Sequence, residues 1–112
     1  MMQPKSQVIM SGGLTNSYTN SQTAVVLGYA KALIVLRCMG GGSGATYRVQ
    51  ANPKTNDALA PWVTIKSGTD FYSGNVVTHL LTDPWESIRV QGKNTQTDKS
   101  SNVVVWVNVD PR

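Results

Sequence analysis

The side chains that could do chemistry are few and isolated in this sequence. His79 is the only histidine and Cys38 the only cysteine among 112 residues. A metal site built on one histidine needs carboxylate or thiolate partners at ligand spacing, and the six carboxylates form no ligand motif. A Ser-His-Asp triad can be assembled from distant residues, but no G-x-S-x-G nucleophile pattern occurs. We therefore expect no catalytic, metal-binding or cofactor-binding residues, and we expect His79 to lie on a strand face, half exposed or at an interface.

Three further patterns have structural explanations. The run GGGSG at 40–44 lacks the Lys-Ser/Thr of a phosphate loop, and it suits a hairpin tip because glycine adopts turn conformations readily. Asp83 and Glu86 flank a Pro-Trp pair and could act as an acid pair, although a turn begun by proline explains Asp83 equally well. Cys38 lies in the apolar run ALIVLRCM, which predicts a buried and unreactive thiol.

Length and composition indicate one domain with a low surface charge. A chain of 112 residues can bury a hydrophobic core of its own. Charged residues make up 14%, against about 25% in typical soluble domains. Uncharged polar side chains must therefore provide most of the polar surface that contacts solvent, or a partner must cover part of the surface. The net charge is +4, but the basic residues are scattered, which does not favour nucleic acid as a partner.

The sequence shows no export or membrane signal. The N-terminal stretch MMQPKSQVIM lacks the long apolar core of a signal peptide. The longest apolar stretch, residues 32–36, is far too short to span a bilayer. We expect a chain that is made and used in a cytoplasm-like setting, or that leaves it by lysis or as part of an assembly, with no membrane partner.

Eight stretches have strand character, with turn-forming residues between them. Their composition is rich in Val and Thr, and no stretch repeats apolar residues at a helical period. Short strands joined by long polar loops predict an all-β fold, a single antiparallel two-sheet β-sandwich of about eight strands, jelly-roll-like. The predicted strands are 7–10, 23–27, 32–39, 46–51, 62–66, 76–81, 87–91 and 101–110.

The last of these strands is apolar on both faces. In SNVVVWVNVD, alternate valines occupy one parity, while Val104 and Trp106 occupy the other. Each sheet of a two-layer sandwich has only one inner face, so Val104 and Trp106 are expected on the outer face. An exposed apolar patch usually marks an interface, and burying one Trp and one Val there would contribute about 4 kcal/mol. The pattern predicts a homo-oligomer with Val104 and Trp106 in the interface.

The first residues are predicted to extend from the domain. We assign residues 1–7 to an extended N-terminal arm and residues 8–112 to the sandwich. The arm is polar and contains Pro4. We expect Met1, Met2, Gln3 and Pro4 to lie on a neighbouring subunit and so to belong to the interface.

The second half of the chain resembles a family of virion proteins. PWVTIKSG is followed by NVVTHLLTDPWESIRVQGKN and then by SNVVVWVN. This order looks like the small β-sandwich accessory proteins of tailed-phage virions, such as head decoration or minor structural proteins. The resemblance implies a non-enzymatic protein that binds a capsid lattice of major capsid protein or another virion protein as an oligomer, commonly a trimer. It implies no catalytic residues.

Two other functions stay open on the sequence. A carbohydrate-binding module could stack a glycan on Trp62, Tyr72 and Trp85, since exposed aromatic rings on a β-surface are typical of such sites. A single-strand nucleic-acid binder would use the positive charge and would show a steep dependence on salt. The virion protein is the leading hypothesis.

Overall fold

The computed structural model describes residues 3–39, 45–55, 57–71, 76–94 and 101–112, with the backbone alone at 69–71. Strands are the regular secondary structure of this part of the chain. No helix within the described ranges is long and apolar enough to cross a membrane. The strands are β1 (Lys5–Gly13), β2 (Thr19–Asn20), β3 (Ala24–Val25), β4 (Lys31–Cys38), β5 (Ala45–Asn52), β6 (Val63–Phe71), β7 (Val76–Leu81), β8 (Ser87–Asn94) and β9 (Asn102–Asp110).

The strands form two antiparallel sheets. The first sheet has the order β1-β9-β4-β7, and the second has the order β2-β8-β5-β6, with β3 also paired to β8. If β2 and β3 are counted as one interrupted strand, the order is that of an eight-stranded jelly roll. The predicted all-β two-sheet sandwich is confirmed. The third predicted strand corresponds to β4, which lies between β9 and β7 and so occupies an internal position.

The interruption between β2 and β3 has a local cause at Ser21. Its backbone N–H donates to the carbonyl of Val90 at 2.7 Å, and its side-chain Oγ accepts from the N–H of Val90 at 2.8 Å. The hydroxyl thus replaces a backbone acceptor in the ladder. The next residue, Gln22, donates its N–H to the carbonyl of Ile9 in the first sheet at 2.8 Å. The segment therefore bridges the two sheets at this point.

Side chains of alternating parity from both sheets fill the core. This is the period-2 pattern of strands that bury one face. The sequence at 46–51 and 87–91 alternates apolar with polar residues, which predicts that the apolar ones face inward, and this is confirmed in β5 and β8. Gln50, which the same alternation predicts to face outward, is buried as well. The buried members of the four central strands are Ala32, Ile34, Leu36 and Cys38 in β4, Tyr47, Val49 and Ala51 in β5, Ile88 and Val90 in β8, and Val103, Val105, Val107 and Val109 in β9.

The first strand is longer than its apolar pattern predicts. It continues through Ser11–Gly13, beyond the predicted range 7–10, because β9 offers pairing partners along its whole length. Gly12 adopts a φ of 133° there, a conformation that glycine tolerates without strain. The register shifts between Val8 and Met10, which leaves Ile9 in a bulge. Lys5 to Gln7, assigned to the arm, are the first residues of β1 and pair with β9.

Candidate functional site

The outer side of the first sheet carries a contiguous apolar surface. Val104 and Trp106 lie on this side and are half-buried within the single chain. They alternate with the core valines of β9, so the strand is apolar on both faces. We call this surface the apolar face; its members are Val8, Leu33, Val35, Val76, Leu80, Val104 and Trp106.

The strand register places these side chains against one another. Trp106 lies opposite Val8 on one neighbouring strand and opposite Val35 on the other. Leu33 lies opposite Leu80. Directly opposed side chains in antiparallel strands are in contact range. The apolar face therefore crosses all four strands, and the polar residues Ser11, Thr78 and Asn108 lie among its members.

The edges of the apolar face remain open to solvent. Val8 is 48% exposed on β1, and Val76 and Leu80 are 57% and 58% exposed on β7. Burying the exposed part of each of these side chains would contribute about 1 kcal/mol. The described chain thus leaves an apolar surface that favours contact with another molecule.

Charged residues lie at the ends of the apolar face. Lys31 and Asp110 are paired across β4 and β9 at one end, and Arg37 lies opposite Val104 toward the other. The backbone N–H of Arg112 donates to the carboxylate of Asp110 at 2.9 Å. This bond and the nearby guanidinium lower the pKa of Asp110. An apolar centre with a polar rim is the usual anatomy of a protein interface.

The N-terminal residues lie beside one end of this face. Met1 and Met2 lie outside the described residues. Gln3 and Pro4 are exposed, and Pro4 borders a shallow open depression of about 290 Å³ next to Leu33 and Leu80. Contact of the arm with a neighbouring subunit stays a prediction.

His79 is held between the sheets by a hydrogen bond that the sequence did not reveal. Its Nε2 lies 2.8 Å from the hydroxyl of Tyr47, a residue of the opposite sheet. Burial and, secondly, the charge of Lys66 lower the pKa of His79, while burial raises the pKa of Tyr47. A neutral histidine bonded to a neutral tyrosine connects the two sheets. The pair is 32 residues apart in the chain, so no local motif could indicate it.

The thiol of Cys38 and the possible metal ligands were the other candidates for chemistry. Cys38 is fully buried, as predicted, and burial raises the pKa of its thiol against the smaller opposite effect of a hydrogen bond with Ser101. A raised pKa leaves little of the nucleophilic thiolate. Within the described ranges, no group of three or more His, Cys, Asp or Glu side chains could hold a metal ion.

The two acids around the Pro-Trp pair serve the turn between β7 and β8. The carbonyl of Asp83 accepts from the N–H of Trp85 at 2.8 Å. The carboxylate of Glu86 accepts from the N–H of Thr55 at 3.1 Å, and its carbonyl accepts from the N–H of Val26 at 2.8 Å. Both acids thus fix connections of the chain.

The aromatic residues considered for sugar stacking have different surroundings. Trp85 packs against the hydrophobic core. Trp62 is half-buried, and the guanidinium of Arg89 lies 4.2 Å from its ring centroid. Tyr72 lies outside the described residues. Trp62 and Trp85 therefore do not form one stacking platform.

The outer side of the second sheet contains a cluster of basic residues that the sequence analysis missed. Arg48 on β5 and Arg89 and Lys93 on β8 all lie on this side. They are separated by up to 45 positions along the chain but lie on adjacent strands. Only their alternation with buried residues of the same strands could have indicated that they share a face.

Comparisons with known proteins identify the fold. No protein-family model matches the chain, and no curated protein matches it by sequence. The exported protein XepA of PBSX superimposes with a TM-score of 0.62 at 13% identity, over 95% of this chain and 37% of XepA. The prophage SPBc2 protein YomS gives 0.60 at 10% identity, over 96% and 94%. A Bacillus endospore appendage, described as a disulfide-linked pilus, gives 0.58 at 6% identity, over 98% and 90%. The chain spans little more than a third of XepA but nearly all of the other two, and at these identities it shares with all three the β-sandwich fold.

Proposed function

We propose that this chain is a non-enzymatic structural protein of a phage virion. In this proposal it assembles with further copies of itself through the apolar face and decorates or cements a capsid lattice. The observation that carries the proposal is the apolar face, because a two-layer sandwich offers no third layer to cover it. Val104 and Trp106 are its central residues, and the N-terminal arm extends the interface.

The size of the face suits an interface with a second copy. The whole outer side of the first sheet, four strands of up to nine residues, projects to roughly 550 Å² from the usual strand spacing and rise, and the apolar face is its central part. Because side chains project from the sheet, its accessible area is larger than this projected area. It approaches about 800 Å², the area that each partner contributes to a standard interface. In a closed ring one part of the face contacts one neighbour and another part contacts the other neighbour, so the face is covered in every copy without open-ended growth. We favour a trimer.

The phage setting is supported by the origin of similar folds. Two of the superimposed proteins come from the prophages PBSX and SPBc2, and the second half of the sequence resembles virion accessory proteins. The proposed location is the virion, after synthesis in the host cytoplasm. The proposed lattice partner is a major capsid protein or another virion protein.

The oligomer can be tested by sedimentation velocity on the full chain at micromolar concentration. We expect an oligomer for the unchanged chain and monomers for Trp106→Ser and Val8→Ser, since both remove apolar area from the interface. Val25→Ser is the matched control for Val8→Ser. Val25 is a similarly exposed valine, at 55%, but it lies on β3 of the second sheet, so the oligomer should persist.

A monomeric unchanged chain would contradict the assembly proposal, as would equal effects of Val8→Ser and Val25→Ser. The virion role has its own readout. Particles purified by density gradient from a lysate of the expressing host should contain the chain in stoichiometric amounts by mass spectrometry. An oligomer that stays in the soluble fraction, with none of the chain in the particles, would overturn the virion role and leave the assembly intact.

A further inference from the structure

We propose that the outer face of the second sheet binds an acidic polysaccharide. This face is opposite the apolar face, and the inference does not depend on the virion proposal. We call it the cationic face; its members are Tyr18, Asn20, Arg48, Gln50, Trp62, Thr64, Arg89, Gln91 and Lys93.

The register of β5 and β8 alternates cations with amides. Arg48 lies opposite Gln91, and Gln50 lies opposite Arg89. Arg89, Arg48 and Lys93 therefore form a zigzag across two strands. Diagonal neighbours of this kind are about 7–8 Å apart in an antiparallel pair. Three positive charges thus follow one line along the sheet.

Two hydrogen-bond relays fix the guanidinium groups. Arg48 Nη2 donates to Gln91 Oε1 at 2.6 Å, and Gln91 Nε2 donates to Asn20 Oδ1 at 2.6 Å. In the opposite direction, Arg89 Nε donates to Gln50 Oε1 at 2.8 Å, and Gln50 Nε2 donates to Thr64 Oγ1 at 3.2 Å. An arginine with five N–H donors keeps several for a ligand after one such bond.

Aromatic rings support the same cations. The guanidinium of Arg48 lies 3.7 Å from the centroid of Tyr18, and the ammonium of Lys93 lies 4.7 Å from it. Arg89 lies over Trp62. These cation–π contacts hold long side chains in place, which lowers the ordering cost that a ligand would otherwise meet.

The positive charge of this face is not neutralised within the described part of the chain. The ion pair in the described part of the chain joins Arg112 to Asp110 of β9, which belongs to the first sheet. The charge of Arg48 acts, after burial, to lower the pKa of Arg89, so the two cations repel each other. Like charges held together without a counter-charge cost stability in the isolated chain, and an anion placed between them would relieve that cost.

The donor chemistry favours a glycan with carboxylates over a nucleic acid. Guanidinium groups bind carboxylates and phosphates alike in a bidentate manner. The exposed side chains of Asn20 and Thr64 beside them can bind sugar hydroxyls. Proteins that bind single-stranded nucleic acid combine a positively charged groove with free aromatic rings on which successive bases stack. Here the ring of Tyr18 already carries two cations and that of Trp62 carries one, so less ring surface is left for bases.

Binding can be measured by biolayer interferometry with the full chain and immobilised polymers. Polygalacturonate is the probe, dextran is the uncharged control, and oligo(dT) is the nucleic-acid control. We expect binding to polygalacturonate, little to dextran, and weaker binding to oligo(dT) at equal salt. Arg89→Gln should reduce the affinity for polygalacturonate about tenfold or more, because a charged hydrogen-bonding group is lost.

The matched control separates this face from the net charge. Arg37→Gln removes one charge from the first sheet instead, and it should change the affinity less than about twofold. Thermal melts check that each variant folds. Lys93→Gln provides a second test. It is a milder change, because the ammonium of Lys93 lies over the Tyr18 ring and takes no part in the two hydrogen-bond relays. This substitution should also weaken binding severalfold.

Three results would overturn the proposal. Oligo(dT) binding more tightly than polygalacturonate would identify a nucleic-acid face. Equal binding to dextran would show that charge plays no part. Equal losses in Arg37→Gln and Lys93→Gln would show that only the net charge of the chain matters.

Discussion

At the scale of single residues, the two most chemically capable side chains are used for structure. His79 joins the sheets through Tyr47, and Cys38 lies fully buried beside Ser101. Each is held in its neutral form, because burial disfavours the charged form of both groups. The polar groups of the interior therefore make the sandwich sensitive to pH.

We expect the free energy of unfolding to fall as the pH is lowered from 7 to 5. The pKa of His79 in the folded chain lies below its ordinary value of 6.5, so the unfolded chain binds the proton more readily. The stability contributed by neutral His79 is present above pH 6.5, the pKa in the unfolded chain. It is lost as the pH falls from there through the lower pKa of the folded chain. Urea unfolding at several pH values measures it.

The control for this prediction is His79→Gln, which keeps a polar, hydrogen-bonding side chain but does not titrate. Its stability should be nearly constant between pH 7 and 5. Asp110 does not interfere, because its pKa is lowered from 3.8. A variant that retains the full pH dependence of the unchanged chain would assign the effect to another group.

At the scale of elements, the ends of the strands are fixed by buried polar side chains. Asn94, the last residue of β8, is the main example. Its side-chain amide donates to the carbonyl of Leu14 at 2.7 Å, and its Oδ1 accepts from the N–H of Ser101 at 2.8 Å. One side chain thus ties the ends of β1, β8 and β9 together.

Replacing this residue should destabilise the sandwich. Asn94→Ala leaves a buried carbonyl and a buried N–H without their partner, at a cost of about 1–3 kcal/mol for each group. We expect the free energy of unfolding to drop by about 2 kcal/mol or more in chemical denaturation. Asn16→Ala, at an exposed asparagine, should change it by less than about 0.5 kcal/mol. Equal effects of the two substitutions would argue against this role of Asn94.

At the scale of the whole molecule, the two outer faces differ in character. The apolar face and the cationic face lie on opposite sides of one core, and β9 and β8 each contribute one side to the core and the other to a face. The association proposed for the apolar face relies on the hydrophobic effect. The binding proposed for the cationic face relies on charge. The two activities should therefore respond differently to salt.

Raising sodium chloride should separate the two faces. Affinity for polygalacturonate should fall steeply, because exposed charges are screened over about 10 Å at 0.1 M salt and over about 3 Å at 1 M. The oligomer should persist or strengthen, because salt does not weaken apolar burial in this way. Sedimentation velocity and interferometry over one salt series measure both. If the oligomer dissociated over the same salt range in which the chain loses polygalacturonate, charge and not the apolar face would hold the oligomer together.

The sequence alone was enough to determine the all-β class, most strand positions and the inward parity of β5, β8 and β9. These features follow from period-2 alternation and from turn residues, which act over a few neighbouring positions. The apolar side of β9 that carries Val104 and Trp106 was visible for the same reason.

Only the tertiary structure decided which distant residues meet. The bond between Tyr47 and His79, the convergence of Arg48, Arg89 and Lys93, and the cation over Trp62 depend on the pairing of strands far apart in the chain. The length of β1 likewise follows from its pairing with β9 at the other end of the chain. Strand order and register are set by the packing of the whole core, and no local pattern carries that information.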